Sequence, residues 1–112
     1  MAYKLKISPE AEDDIQDCFE YLAFSIEGVG NSLVANKFYI ELKIALDKIA
    51  EFPEGFSICE DQELFAVGLR KIKMSHYKYD IFYHIVGDVI VVDMVCHNLR
   101  DHNKILGSRK LF

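Results

Sequence analysis

The chain has 112 residues, 51% of them hydrophobic and 28% charged, with a formal net charge of −5. Length and composition exclude a disordered segment and fit one domain with its own hydrophobic core. No apolar run approaches the roughly 20 residues needed to span a bilayer, and Met1–Ile7 lacks the apolar centre of a signal peptide.

Met1–Ile7 instead alternates, and residues 2–7 are expected to form a short strand with Tyr3, Leu5 and Ile7 on one face. Ser8 and Pro9 mark a helix start, because a serine oxygen accepts an orphan backbone N–H and proline suits the first helical position. Ala11, Ile15, Cys18, Phe19 and Leu22 give this first helix an apolar stripe, while Glu10, Asp13, Asp14, Asp17 and Glu20 fall largely on an acidic face. Gly28-Val29-Gly30-Asn31 breaks it. A second helix is expected from about Ser32 to Glu51, with Ala35, Phe38, Leu42, Ala45, Leu46 and Ile49 as its core stripe. It ends at Phe52-Pro53-Glu54-Gly55. Residues 56–68 read as a loop, with room for a short turn near Glu63–Phe65.

The remainder reads as β. Leu69–Ser75 alternates, setting Ile72 and Met74 against Lys71 and Lys73. Tyr77–Val86 and Val89–His97 flank Gly87-Asp88, a two-residue hairpin signal. Counting outward from that turn pairs Ile85 with Ile90 and, at the far end, Lys78 with His97. Ile81, Tyr83, Ile85, Ile90, Val92, Met94 and Cys96 would then face the helices. Lys78, Asp80, Phe82, His84, Asp93 and His97 would form a largely polar opposite face, free to meet a partner. The expected fold is α+β, β-α-α-β-β-β, with a helical hairpin on one face of a mostly antiparallel sheet; residues 1–112 form a single domain.

No phosphate loop, dinucleotide fingerprint, zincin motif or nucleophile elbow occurs, and no cofactor is expected. Cys18, Cys59 and Cys96 are distant and odd in number, which suits a reducing cytoplasm. Cys96-His97 with His102 is too loosely spaced for a metal site. The charge is uneven: residues 1–66 hold 5 Lys/Arg against 14 Asp/Glu (−9), and residues 67–112 hold 8 against 4 (+4). Arg70, Lys71, Lys73, Lys78 and Arg100 are therefore candidates for contacting a target protein or nucleic acid. Lys71, Lys73, Arg100 and His97 are the candidate catalytic set for metal-free RNA cleavage. Cations stabilise developing phosphate charge there, and a histidine transfers protons near neutral pH. Alternating strand lysines equally serve solubility and edge protection.

Five segments, in this order, resemble the RelE/ParE toxins of type II toxin–antitoxin systems. They are Ile7-Ser8-Pro9-Glu10-Ala11-Glu12-Asp13-Asp14-Ile15, Phe52-Pro53-Glu54-Gly55, Leu69-Arg70-Lys71-Ile72, Tyr79-Asp80-Ile81-Phe82-Tyr83 and Val95-Cys96-His97-Asn98-Leu99-Arg100-Asp101. The resemblance spans about residues 3 to 103. It implies a cognate antitoxin, a toxin–antitoxin hetero-oligomer and a plasmid-stabilisation role. It also implies one of two activities: binding of DNA gyrase, or metal-independent cleavage of messenger RNA on the ribosome. Lys71, Lys73 and Arg100 match the nuclease branch. Asp80 stands where that branch places an arginine, and Leu106 lies near where some members carry a catalytic tyrosine. His97 followed by Arg100-Asp101 is closer to the gyrase-directed branch. The expectation is a ParE-like toxin; an mRNA interferase and a non-toxic member retaining antitoxin binding are the alternatives. In family complexes an extended antitoxin tail wraps the toxin; the strand Tyr3–Ile7, the helix faces and the tail Lys104–Phe112 offer edges or grooves for it. Leu106, Leu111 and Phe112 are rather expected to dock on the domain's own core.

Overall fold

Ser8 divides the first strand from the first helix by using its side chain in place of the next turn of backbone. In the computed structural model its Oγ accepts the Ala11 N–H at 3.1 Å, with Pro9 at the start of the helix and Glu10 and Glu12 in the first turn. All three features stabilise a helix N-terminus. The structure describes residues 3–22, 32–56, 68–74 and 79–97. Within them the order is β1 (Lys4–Ile7), α1 (Pro9–Glu20), α2 (Ser32–Glu51), β2 (Arg70–Lys73), β3 (Tyr79–Val86) and β4 (Val89–His97). The helix break at Gly28–Asn31, the turn near Glu63–Phe65, and Cys59, Lys78, Arg100, His102 and the tail Lys104–Phe112 lie outside the described residues.

The four strands form one mixed sheet in the order β1-β4-β3-β2. β2–β3 and β3–β4 are antiparallel, whereas β1 runs parallel to β4 with Lys4 beside Val89 and Ile7 beside Val92. Two backbone bonds, Lys4 N–H to the Asp88 carbonyl (2.9 Å) and Ser8 N–H to the Val92 carbonyl (3.0 Å), fasten both ends of β1. The β3–β4 turn falls at Gly87-Asp88, and Gly87 takes φ +61°, a left-handed conformation that a residue with a Cβ resists.

Both helices pack on one face of the sheet. Ala11, Ile15 and Cys18 of α1 and Ala35, Phe38, Leu42, Ala45 and Ile49 of α2 are buried against Ile72, Tyr79, Ile81, Tyr83, Ile90, Val92 and Val95. These are the helix stripes the sequence predicts. The ring of Phe38 meets Tyr79 edge-on at 5.5 Å. The turn after α2 is clamped to the sheet: the buried Tyr83 hydroxyl donates to the Pro53 carbonyl at 2.6 Å, and Arg70 donates to the carbonyls of Glu54 (3.2 Å) and Phe56.

One expectation is corrected. The β3–β4 register holds from the turn only as far as Tyr83↔Val92; Phe82 then pairs with Met94, leaving Asp93 as the extra residue of a β-bulge. Every later pair moves by one. His97 sits across from Tyr79 rather than Lys78, and Val95, not Met94 or Cys96, enters the helix-side core. The opposite face is also not free. Asp80, Phe82, His84, Asp93, Met94 and Cys96 are all buried. His84 Nδ1–H donates to the Asp93 carboxylate at 2.6 Å, which satisfies two polar groups that the bulge places beside each other.

Candidate functional site

Two places could meet a target. The first is β2, which forms one edge of the sheet. Lys71 and Lys73 pair across from Phe82 and Asp80, so both lysines lie on the face away from the helices; Lys71 is half-buried and Lys73 exposed. The buried Asp80 carboxylate is thus the cross-strand neighbour of Lys73, a negative group where phosphate recognition requires a positive one. Arg70 alternates to the helix side, and its guanidinium is committed to the carbonyls after α2. A guanidinium held this way acts as a brace for the turn.

The second is a groove of about 380 Å³ between α1 and the end of β4, lined by Asp14, Asp17, Tyr21, Tyr79, Val95 and His97 among others. Spacings of three and four residues along α1 put Asp14, Asp17 and Tyr21 on one side of the helix. Asp14 also accepts the Val95 backbone N–H at 3.1 Å, tying the groove floor to its wall. His97 stands edge-on to the Tyr79 ring, 5.4 Å between centroids at 84°.

Two further groups of the groove, Cys18 and Tyr79, are held neutral. Burial, reinforced by the nearby Asp14 carboxylate, pushes the Cys18 thiol up to about 12. Burial and the neighbouring Cys18 push the Tyr79 phenol up to about 12. A thiol held in that form is a poor nucleophile. Two carboxylates, a histidine and aromatic rings in one groove suit a positively charged group.

The bulge therefore separates His97 from the β2 lysines, which the expected register sets on one face. His97 opens on the helix side with Tyr79, while Lys71 and Lys73 share the other face with Phe82 and Asp80. Lys78 and Arg100 lie outside the described residues. Sequence reasoning placed Asp14 and Asp17 on a solvated acidic face and missed the groove. The available signal was Tyr21, an aromatic residue extending that acidic row. Among the described residues no three His, Cys, Asp or Glu side chains gather as metal ligands, and no helix is long and apolar enough to cross a membrane.

Comparison with known proteins bears on the same elements. The family model of the ParE toxin of the type II toxin–antitoxin system parDE matches residues 5–102. No curated protein matches. Among solved structures, a chain of the chromosomal ParDE toxin–antitoxin system from P. aeruginosa superposes with a TM-score of 0.68 at 12% identity, covering 86% of this chain and 96% of that one. A mutant of the E. coli toxin RelE in the free state superposes with a TM-score of 0.54 at 22% identity, covering 88% and 86%. At such identities the two structures speak for the fold, two helices on a mixed four-stranded sheet. The family model carries the assignment, and it spans every described strand and helix apart from the first residue of β1: this chain belongs to the ParE toxin family of type II toxin–antitoxin systems.

Proposed function

We propose that this chain is the growth-inhibiting member of a toxin–antitoxin pair, acting in the cytoplasm by binding DNA gyrase and neutralised by a cognate antitoxin. The observation that carries this reading is the position of His97. Metal-free cleavage of RNA needs cations and a proton-transfer group around one phosphate. Here the candidate histidine and the candidate lysines open on opposite faces of the sheet, and Asp80 lies beside Lys73. A binding toxin needs no such convergence. The antitoxin reading is supported by the similarity to a chain of a ParDE system, and the acidic α1–β4 groove suits a basic side chain of that antitoxin.

One observation favours the alternative, a ribosome-dependent mRNA interferase. Lys73 is exposed and Lys71 half-exposed on an edge strand, the placement expected of cations that touch a phosphate backbone. Inducing the chain alone in bacteria, and assaying gyrase supercoiling and transcript integrity together, separates the readings. Relaxed or cleaved plasmid DNA with intact transcripts is expected. New ribosome-dependent cuts that vanish in the Lys71→Ala, Lys73→Ala, Arg100→Ala triple variant would reverse the assignment. Normal growth with retained antitoxin binding would identify a non-toxic family member.

A further inference from the structure

α2 has a second stripe. Opposite its core side, Lys37, Ile40, Ile44, Asp47 and Glu51 recur at intervals of three and four, the heptad seam by which one helix packs on another. All five are exposed, and the two central ones are isoleucines: Ile40 at 60% and Ile44 at 43%. Neither Lys37 nor Asp47 has an ion-pair partner among the described residues. Ammonium, isoleucine, isoleucine, carboxylate is therefore the order presented to solvent.

That order is complementary to itself when reversed. We propose that the outer seam of α2 pairs antiparallel with the same seam of a second copy of this chain, about a two-fold axis beside Leu42. Ile40 then packs against Ile44 of the second copy, and Lys37 faces its Asp47; the two-fold repeats both contacts. Parallel pairing sets lysine against lysine and aspartate against aspartate, so the charges choose the antiparallel orientation. A two-fold contact requires one patch to match itself, and an unrelated partner imposes no such symmetry on the sequence. The pairing leaves the α1–β4 groove and the β2 lysines uncovered, and it does not depend on which target the toxin binds.

The test is the solution mass of the full chain by sedimentation equilibrium between about 1 and 100 μM. A concentration-dependent dimer is expected. Ile40→Glu, at an exposed position where far-UV circular dichroism should stay unchanged, should abolish it. Lys37→Asp alone brings carboxylates together, and Asp47→Lys alone brings ammonium groups together; each should weaken the dimer about tenfold. An equimolar mixture of those two single variants restores opposite charges across the axis and should dimerise like the original chain. A monomer at every concentration overturns the proposal. So does a dimer indifferent to Ile40→Glu, or a mixture no tighter than its separate components.

Discussion

Replacing Tyr83 by phenylalanine isolates the brace that holds the end of α2 to the sheet. The ring is fully buried and fits the same space in either residue, so no cavity larger than one oxygen is created. What is lost is the bond from the hydroxyl to the Pro53 carbonyl, a buried 2.6 Å contact. An acceptor left buried without its donor costs about 1–3 kcal/mol. For a domain near this size, roughly 4 °C of melting temperature corresponds to each kcal/mol, so Tyr83→Phe should melt roughly 4–12 °C lower. Urea unfolding followed by far-UV circular dichroism should show a lower midpoint with an unchanged slope, because the surface exposed on unfolding is the same. Arg70 braces the adjacent carbonyls of Glu54 and Phe56. Combining Tyr83→Phe with Arg70→Met should therefore depart from additivity, since the two side chains secure one turn. A melting temperature within about 1 °C of the original chain, or strict additivity in the double variant, would refute the brace. Arg70→Met losing toxicity without losing stability would return Arg70 to the target-binding surface.

Three further outcomes follow from the structure. Asp93→Ala removes the carboxylate that the buried His84 uses and should cost about 3 kcal/mol in urea unfolding; Asp93→Asn should recover part of it, and a loss below about 0.5 kcal/mol would show the pair to be structurally idle. Gly87→Ala meets no neighbouring atom, so its cost should be the left-handed backbone strain alone, about 1–2 kcal/mol; a neutral result would mean the turn readily changes type. Burial holds the Tyr83 phenol, like that of Tyr79, up to about 12 against an ordinary value of 10. The unfolded chain therefore releases these protons first, so the stabilisation is complete below pH 10 and is lost as pH rises towards 12. Tyrosinate absorbance of the folded protein should accordingly show a late step towards pH 12 from the buried Tyr79 and Tyr83. The absence of any step above about pH 11 would contradict it.

Local chemistry was fully legible in the sequence where one residue type has one physical use. Ser8-Pro9 could only start a helix, Gly87-Asp88 could only turn a hairpin, and the α2 limits at Ser32 and Glu51 match the expected periodicity. The bulge was not legible. Val91-Val92-Asp93-Met94-Val95 alternates acceptably whether or not Asp93 is counted, because apolar residues stand on both sides of it. The usual check on register, one wet face and one dry face, also fails here, since both faces of β3 and most of β4 are buried. That single uncounted residue moved His97 to the helix side, away from the face of the β2 lysines. The lysines of β2, which precede the bulge's influence, stand where alternation placed them. The outer seam of α2 was hidden by its neighbour: Ala35, Phe38, Leu42 and Ile49 explain the helix so well that Ile40 and Ile44 passed as incidental.

The parallel pairing of β1 with β4 also governs when the protein can exist during its own synthesis. Lys4–Ile7 leaves the ribosome well before the strand it needs, which begins at Val89 and is made more than 80 residues later. Until then β1 has no ladder to join, and α1 has no floor for Ile15 and Cys18, since Val92 and Val95 are still unmade. A contact of such long sequence separation closes late and slowly. The sheet of a growing chain therefore closes only once β4 has been made, and the α1 side of the core closes with it.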